Sequence, residues 1–359
     1  MPPASGSTRV DAAELRALVA ETFAAAGSER DEAALLADHL VEANLVGHDS
    51  HGVIRVAKYL DWLGDGKVLA NRHARVVLDA GPLLCVDGDG GYGQVIAREA
   101  MDLGIERAGS LGVAVVGVRG CGHVGRVGAW AEMAAAAGLI SVHFVNSSGF
   151  GILVAPHGGR DRRLSANPIA VGIPVPGRPP IILDMATSII AEGKIQVARN
   201  KGESLPEGCV LDGSGRPTRD PQEFYRDPPG AILPFGGHKG SGLSIVCEVL
   251  AGSLTGGMSS HPHNPTADRL VNNMLTILLR PGHWVPEPSY AQDVSRLVDW
   301  VKASPPAEPG GSVLAPGDIE RRTREERETQ GIPLDAATRA QIGAAARAVG
   351  LPDERLAGL

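Results

Sequence analysis

The stretch Val113–Val118 (VAVVGV) decides the fold of this chain, because a short β-branched run of this length is typical of a strand buried on both faces. Two comparable runs lie on either side of it, Ala74–Leu78 (ARVVL) and Ile140–Val145 (ISVHFV). Alanine-rich segments with helical spacing separate the three runs. This alternation of strands and helices predicts an α/β fold with a sheet at its centre.

Outside this region, both ends of the chain have helical periodicity. Apolar residues recur at helical spacing over 11–26, 30–45, 51–63, 290–303, 318–330 and 335–349. We expect these helices to form one discontinuous helical domain, 1–72 plus 285–359, beside an α/β domain at 73–284. Within the α/β domain, the pattern also predicts a helix at 240–254 and a strand at 274–279.

The composition argues against several classes of protein. A chain of 359 residues is long enough to bury a large core, and its net charge of −7 without a basic stripe argues against nucleic-acid binding. No apolar run approaches the length of a membrane span, and Met1–Thr8 lacks the features of a signal peptide. Four well-separated cysteines indicate reduced thiols in a cytoplasmic protein. His261 and His263 lack a nearby cysteine and helical spacing, so no metal site is predicted.

A titratable side chain and a fixed cation lie close together in Gly47–Arg55 (GHDSHGVIR). Ser50 is a good helix N-cap, which would put His51 in the first helical turn and Arg55 on the same face. Arginine can hold a carboxylate with two parallel hydrogen bonds, while an imidazole can exchange a proton with an adjacent carbonyl or hydroxyl. The segment therefore suits a 2-oxo or 2-hydroxy acid, although a Ser-His pair also occurs simply as a helix cap.

The segment Gly88–Gly93 (GDGGYG) matches the G-x-G-x-x-G dinucleotide fingerprint and follows a strand-like run at 83–87. The acidic residue that should end the next strand is missing, since Arg119 stands there. An arginine would suit an NADP-binding form of the fingerprint, but 47 glycines in the chain make a chance match easy. We therefore do not interpret this loop as a dinucleotide site.

Three further residues lie where ligands often bind. His123 follows the Val113–Val118 run in a glycine-rich turn, where it suits either a ligand or a bond to a loop carbonyl. Asp184 stands at a strand end and suits a ribose hydroxyl, although capping the helix that follows is the more common role. Lys239 lies in Gly236–Gly242, a helix start whose amides can face an anion.

Taken in order, these segments resemble the malate/L-lactate dehydrogenase family of the second type, also called the sulfolactate dehydrogenase-like or hydroxycarboxylate dehydrogenase family. The resemblance covers nearly the whole chain. It rests on Asp49–Gly52 with Arg55, Gly122–Gly125, Gly138–Ile140, Ala155–Gly159, Asn167–Ala170, Asp184–Ser188, Gly193–Lys194 and Gly237–Gly240. The stretch Ala191–Lys194 looks most like the hydroxycarboxylate branch.

The resemblance implies an oxidoreductase that transfers a hydride between NAD or NADP and a small 2-hydroxy or 2-oxo acid of the malate, lactate or hydroxycarboxylate type. It implies a non-Rossmann NAD(P)-binding mixed β-sheet domain, a helical domain formed by both chain termini, and a homodimer. His51 matches the family's proton donor, Ser50 its partner, and Arg55 the substrate-binding residue. His123 matches a position that is the acid/base in some members and a cofactor contact in others. The implied cofactor contacts are His123, Val124, Gly125, Arg126, Val127, Ser147, Asp184, Met185, Ala186, His238, Lys239, Gly317, Asp318 and Ile319.

Other functions stay open at this point. Reduction of a cyclic imino acid such as piperideine-2-carboxylate and oxidation of ureidoglycolate belong to the same reaction class. A ligand-binding protein without chemistry is disfavoured, because binding an anion needs no acid/base histidine. The sequence leaves undecided the choice between NAD and NADP, and which of His51 and His123 moves the proton.

Overall fold

The computed structural model describes residues 8–266 and 268–359. Residues 1–7, which carry most of the segment examined for a signal peptide, lie outside these ranges. The helices are α1 (Ala12–Ala25), α2 (Arg30–Leu45), α3 (Arg55–Gly64), α4 (Gly93–Leu111), α5 (Gly128–Ala136), α6 (Glu192–Lys201), α7 (His238–Cys247), α8 (Glu287–Lys302), α9 (Asp318–Gln330) and α10 (Ala336–Ala348). The strands are β1 (Thr8–Val10), β2 (Arg75–Ala80), β3 (Leu83–Asp87), β4 (Val113–Cys121), β5 (Ile140–Gly149), β6 (Ile152–Val154), β7 (Leu164–Ser165), β8 (Ile169–Ile173), β9 (Ile181–Met185), β10 (Val210–Leu211), β11 (Pro217–Thr218), β12 (Ala231–Ile232), β13 (Leu270–Leu279) and β14 (Ile332–Leu334).

A seven-stranded sheet in the order β2-β3-β4-β13-β5-β8-β9 forms the centre of the fold. Strands β3 and β4 are parallel and are joined through α4, whereas the other neighbouring pairs are antiparallel. The stretch Val113–Val118 forms the first part of β4, where Ala114, Val116 and Val118 are buried. A five-stranded sheet in the order β11-β10-β12-β6-β7 lies beside it. The predicted α/β class is confirmed.

Residues from both ends of the chain share one core. Strand β1 pairs antiparallel with β14, and the apolar faces of α1, α2 and α3 pack with Ile332, Leu334 and Ile342. Helix α8 differs, because none of its residues is buried. Its Tyr290 hydroxyl donates to the Pro174 carbonyl at 3.1 Å, so α8 lies against the end of β8 rather than in the shared core.

Several element boundaries differ from the prediction. The third helix begins at Arg55 rather than at 51. Helix α7 begins at His238 and continues as a π-helical segment, Glu248–Ser253. Strand β13 begins four residues before the predicted 274, because Asn272 and Asn273 lie buried in it and satisfy their polar groups by hydrogen bonds. Within the described ranges, no helix is long and apolar enough to cross a membrane.

Candidate active site

The prediction that Ser50 caps a helix is wrong. Asp49–His51 form a single 3₁₀ turn, and α3 begins only at Arg55. Side chains from elsewhere hold this turn: the Asn44 amide and the Arg327 guanidinium each donate to the Asp49 carboxylate at 2.6 Å. Because Arg327 lies 278 residues away on α9, this arrangement is set by the tertiary structure and not by local helical spacing.

The turn nevertheless brings the predicted catalytic and substrate-binding residues together. Ser50 Oγ lies 3.0 Å from His51 Nδ1, and Arg55 Nε donates to the Ser50 carbonyl at 2.6 Å. The rings of His51 and His123 stack with their centroids 5.5 Å apart. The start of α6 closes against this group, since a Cβ on Gly193 would lie 3.5 Å from Ser50 Cβ. We call Ser50, His51, Arg55 and His123 the histidine cluster.

Two residues that the sequence analysis missed, Tyr59 and Gln94, contact the histidine cluster. Tyr59 Oη lies 2.6 Å from His123 Nδ1, and Gln94 Nε2 donates to the same Tyr59 oxygen at 2.9 Å. Tyr59 follows Arg55 by four residues on α3 and therefore lies on the same helix face. The four-residue spacing from Arg55 was the sequence signal that could have identified Tyr59. Gln94 lies at the start of α4 and is fully buried.

Burial keeps the imidazoles of His51 and His123 and the phenol of Tyr59 uncharged. It lowers the pKa of His51 to about 3, and the positive charge of Arg55 acts in the same direction. Burial and the neighbouring His51 also hold the pKa of His123 well below its usual value. Burial raises the pKa of Tyr59 to about 12. At neutral pH both imidazoles are therefore uncharged and the phenol is protonated.

The first group of expected cofactor contacts, Val124–Val127 and Ser147, surrounds Asn272 of β13. The Asn272 side chain accepts from Val124 N at 2.9 Å and donates to Ser147 Oγ at 2.7 Å. Arg126 is buried; its backbone N–H donates to His39 Nε2 at 2.9 Å, and its guanidinium pairs with Glu132. One asparagine side chain thus connects the turn after β4 to the end of β5.

The second group, Asp184–Ala186, lies at the end of β9. Asp184 does not cap the segment that follows it, as the more common role would require; its carboxylate accepts from the amide of Gly128, the first residue of α5, at 2.9 Å. His48 was not selected from the sequence, yet its Nδ1 lies 4.0 Å from Asp184 Oδ2 and its Nε2 lies 3.4 Å from Glu320 Oε1. Burial raises the pKa of Asp184.

The third group consists of the starts of α7 and α9, which both reach β9 or the residues just after it. Next to His238 and Lys239, the amide of Phe235 donates to the Thr187 carbonyl at 3.0 Å. A Cβ on Gly317 would lie 3.4 Å from Ile182 N. Asp318 is buried and paired with Lys302 at 2.6 Å, so its carboxylate serves the fold, whereas Ile319 is exposed.

The loop Gly88–Gly93 uses its amides within the fold. The N–H groups of Gly88, Gly90 and Gly91 donate to the carbonyls of Arg119, Gly120 and Gly88 at 2.8 to 2.9 Å. A cavity of about 610 Å³ borders this loop at Gly90, but its lining includes no member of the histidine cluster. The last glycine has a packing role, because a Cβ on Gly93 would lie 2.2 Å from the Gly122 carbonyl oxygen.

A half-buried arginine beside two imidazoles, next to a mixed sheet, is the arrangement expected of an oxidoreductase that acts on small carboxylates. No group of His, Cys, Asp or Glu side chains within 8–266 and 268–359 is arranged to hold a metal ion. The sequence matches the model of the malate/L-lactate dehydrogenase family over residues 10–343. The chain belongs to this family, and it is an NAD(P)-dependent hydroxy-acid dehydrogenase.

Individual relatives cover almost the whole chain. The chain is 43% identical to hydroxycarboxylate dehydrogenase B of Escherichia coli K12 over 97% of its own length and 96% of the relative. It superposes on the malate dehydrogenase of Pyrococcus horikoshii with a TM-score of 0.88 at 30% identity, covering 98% of each chain. It also superposes on the Δ1-piperideine-2-carboxylate reductase of Pseudomonas syringae with a TM-score of 0.83 at 32% identity, covering 94% and 99%. The predicted family is confirmed.

Proposed function

We propose that the histidine cluster is the active site and that it interconverts a small 2-hydroxy acid and its 2-oxo acid. The observation that carries this proposal is the orientation of Arg55 beside the stacked rings of His51 and His123. Because Arg55 Nε donates to the Ser50 carbonyl, the two Nη groups form the edge that meets a substrate carboxylate. Such a bidentate grip fixes C2 of the substrate next to the imidazoles.

The residues around β9 fit NAD or NADP. Two nitrogen atoms of the buried Arg126 guanidinium, Nε and Nη1, have no hydrogen-bond partner among the described residues. Such free donors are expected beside a polar ligand. When bound, the cofactor supplies the nicotinamide carbon that accepts or gives the hydride. The turn His123–Val127, Ser147, Asp184–Ala186, His238 with Lys239, and the Gly317–Ile319 segment would hold it. The amides of Gly88, Gly90 and Gly91 are already bonded within the fold, which supports a cofactor site outside that loop and a non-Rossmann mode of binding.

During oxidation of the hydroxy acid, the C2 hydrogen leaves as hydride and the hydroxyl proton passes to a histidine; reduction reverses both transfers. Ser50 Oγ lies within hydrogen-bond distance of His51 Nδ1 and orients that ring. The two histidines and Arg55 therefore supply the carboxylate contact, the proton transfer and a hydrogen bond to the reacting oxygen.

Several finer points extend the proposal. The relative named hydroxycarboxylate dehydrogenase B and the Ala191–Lys194 stretch support a substrate of the hydroxycarboxylate type. Apart from α8, which lies outside it, the shared core of both chain ends supports a helical domain of 1–72 plus 285–359 beside a cofactor- and substrate-binding domain at 73–284. We further propose a cytoplasmic homodimer.

A second candidate reaction is reduction of a cyclic imino acid. The likeness to the piperideine-2-carboxylate reductase, over 94% of this chain, favours it. Its substrate also carries a carboxylate for Arg55, but the ring requires a wider pocket. Ureidoglycolate is a third substrate to be tested.

The experiment follows NADH and NADPH absorbance with a panel of 2-oxo acids, one cyclic imine and, in the oxidative direction, ureidoglycolate. Turnover of 2-oxo acids is expected; turnover of the imine or of ureidoglycolate alone would replace the proposal by the corresponding alternative. No turnover with any of them would favour a binding protein.

Variants then test the roles of the residues. Arg55→Leu should lower kcat/KM by about 10- to 10²-fold, because a charge-assisted hydrogen bond contributes about 1.5–3 kcal/mol. Arg55→Lys keeps the charge but loses the planar fork, so it should recover only part of the loss. Arg98→Leu, which removes an exposed arginine of α4, is the matched control. Unchanged kcat/KM in Arg55→Leu would contradict the carboxylate role. His51→Ala should lose reduction but keep cofactor binding.

A further inference from the structure

The hydroxyl of Tyr59 is directed by its two neighbours. Gln94 Nε2 donates to the Tyr59 oxygen at 2.9 Å, so this contact uses a lone pair of the phenol and leaves its proton free. The Tyr59 oxygen also lies 2.6 Å from His123 Nδ1. The phenol is protonated at neutral pH, because burial raises its pKa to about 12. With the Gln94 amide nitrogen facing the phenol, the tyrosine proton is available for the short contact, and Nδ1 of the neutral histidine can accept it.

This direction fixes the tautomer of His123. A neutral imidazole carries one proton, and if Nδ1 accepts a hydrogen bond, the proton is on Nε2. A second proton on Nδ1 would face the Tyr59 hydroxyl proton as long as Gln94 presents its amide nitrogen to the phenol. The same pair of contacts thus opposes formation of the imidazolium.

From this geometry we propose that Tyr59, oriented by Gln94, is a positioning residue that holds His123 in the neutral Nε2–H form. His123 then acts as a hydrogen-bond donor to the reacting oxygen, and His51 is the residue that moves the proton. His51 is free to do so because its Nδ1 contacts the Ser50 hydroxyl, a group that both donates and accepts. This division of roles rests on the proposed function of the histidine cluster, whereas the tautomer itself does not.

The direct test is the ¹⁵N spectrum of histidine-labelled protein without substrate. The His123 signals are assigned by their loss in a His123→Gln variant, which separates them from those of the other ten histidines. We expect a pyridine-type Nδ1 and a pyrrole-type Nε2 for His123 in the unmodified protein. Gln94→Glu replaces the amide donor by an acceptor, so the phenol should turn toward it and the His123 tautomer should reverse. A pyrrole-type Nδ1 in the unmodified protein would overturn the proposal.

The control is Tyr92→Phe, which removes a phenol hydroxyl from a ring 6.2 Å from that of Tyr59. It should leave the His123 tautomer and kcat/KM unchanged. Tyr59→Phe should lower kcat/KM roughly ten-fold, as expected for one lost hydrogen bond. It should also add a second acidic limb to the pH profile, because His123 becomes free to take up a second proton. An unaltered profile in Tyr59→Phe would contradict the positioning role.

Conservative variants separate a donor from a proton carrier. A glutamine amide can donate a hydrogen bond but cannot carry a proton at neutral pH. His123→Gln should therefore keep at least ten-fold more activity than His123→Ala, whereas His51→Gln should be no better than His51→Ala. The reverse pattern would assign proton transfer to His123. If no 2-oxo acid is turned over, the proposed function fails, but the NMR result still decides the tautomer.

Discussion

Replacing Gly93 by alanine tests how closely α4 must approach the turn that carries His123. Gly93 is the last glycine of the fingerprint-like loop and the first residue of α4. Its added Cβ would lie 2.2 Å from the Gly122 carbonyl oxygen and 2.5 Å from the backbone carbonyl of His123. Both neighbours are backbone atoms, so no side chain can rotate away to relieve the clash.

The size of the required shift follows from these distances. Cβ contacts shorter than 3.0 Å essentially do not occur, so the helix and the turn must separate by at least 0.8 Å (3.0 minus 2.2). Such a shift should disturb the 2.6 Å contact between Tyr59 and His123. A displacement near 1 Å at a reacting group can lower the rate about 10²-fold, and overpacking of this kind destabilises by about 1–3 kcal/mol. We therefore expect Gly93→Ala to lose about 10²-fold in kcat/KM and to unfold at lower temperature.

Gly109→Ala provides the matched control on the same helix. Its added Cβ would have no heavy atom within 4 Å, so this change should keep activity and raise stability by about 0.4–1 kcal/mol. Kinetics with the best 2-oxo acid and thermal unfolding of both variants make the comparison. Gly93→Ala with the kcat/KM and Tm of the unmodified protein would refute the close-approach argument.

Two further predictions concern stability. His143 is fully buried between the Ser141 and Thr276 hydroxyls, and burial lowers its pKa to about 3. Between pH 6.5 and 3 the unfolded chain binds a proton that the folded chain does not, so stability falls as the pH falls through this range. His143→Asn should make the free energy of unfolding fall less steeply, by about 1.4 kcal/mol per pH unit, which amounts to about 2 kcal/mol at pH 5. Urea unfolding at several pH values measures this difference. Parallel curves of unfolding free energy against pH for the two proteins would contradict it. Asp184→Ala should cost about 1 kcal/mol because the Gly128 amide loses its acceptor, whereas Asp184→Asn keeps an oxygen there; equal Tm losses would argue against the capping role.

The sequence predicts elements better than it predicts boundaries and long-range contacts. The apolar run at Val113–Val118 identifies β4, because a strand whose residues are all buried or half-buried leaves a pattern in the residues themselves. The start of β13 leaves no such pattern, since Asn272 and Asn273 are buried and donate hydrogen bonds to Asn146 of β5. The pairing of Asp184 with the start of α5 likewise joins residues 56 apart and has no local signal.

The structure brings the predicted site residues together, but not for the reason that the sequence suggested. Ser50, His51 and Arg55 do lie together, yet a 3₁₀ turn held by Asn44 and Arg327 replaces the expected helix. Tyr59 was within reach of the sequence, because it lies four residues beyond Arg55 on α3. Gln94 was not, since its contact with Tyr59 depends on how α4 packs against α3.

In the proposed mechanism, the charge of Arg55 connects substrate binding to proton transfer. Besides burial, Arg55 is the largest cause that lowers the pKa of His51, and it also lowers the pKa of His123. A substrate carboxylate bound to Arg55 neutralises that charge, so it must raise the proton affinity of both imidazoles. The tyrosine contact opposes protonation of His123 at Nδ1, which directs the gain to His51. His51, the proposed proton acceptor, thus becomes more basic when the substrate is bound. Without substrate, the site does not acquire a second positive charge beside Arg55.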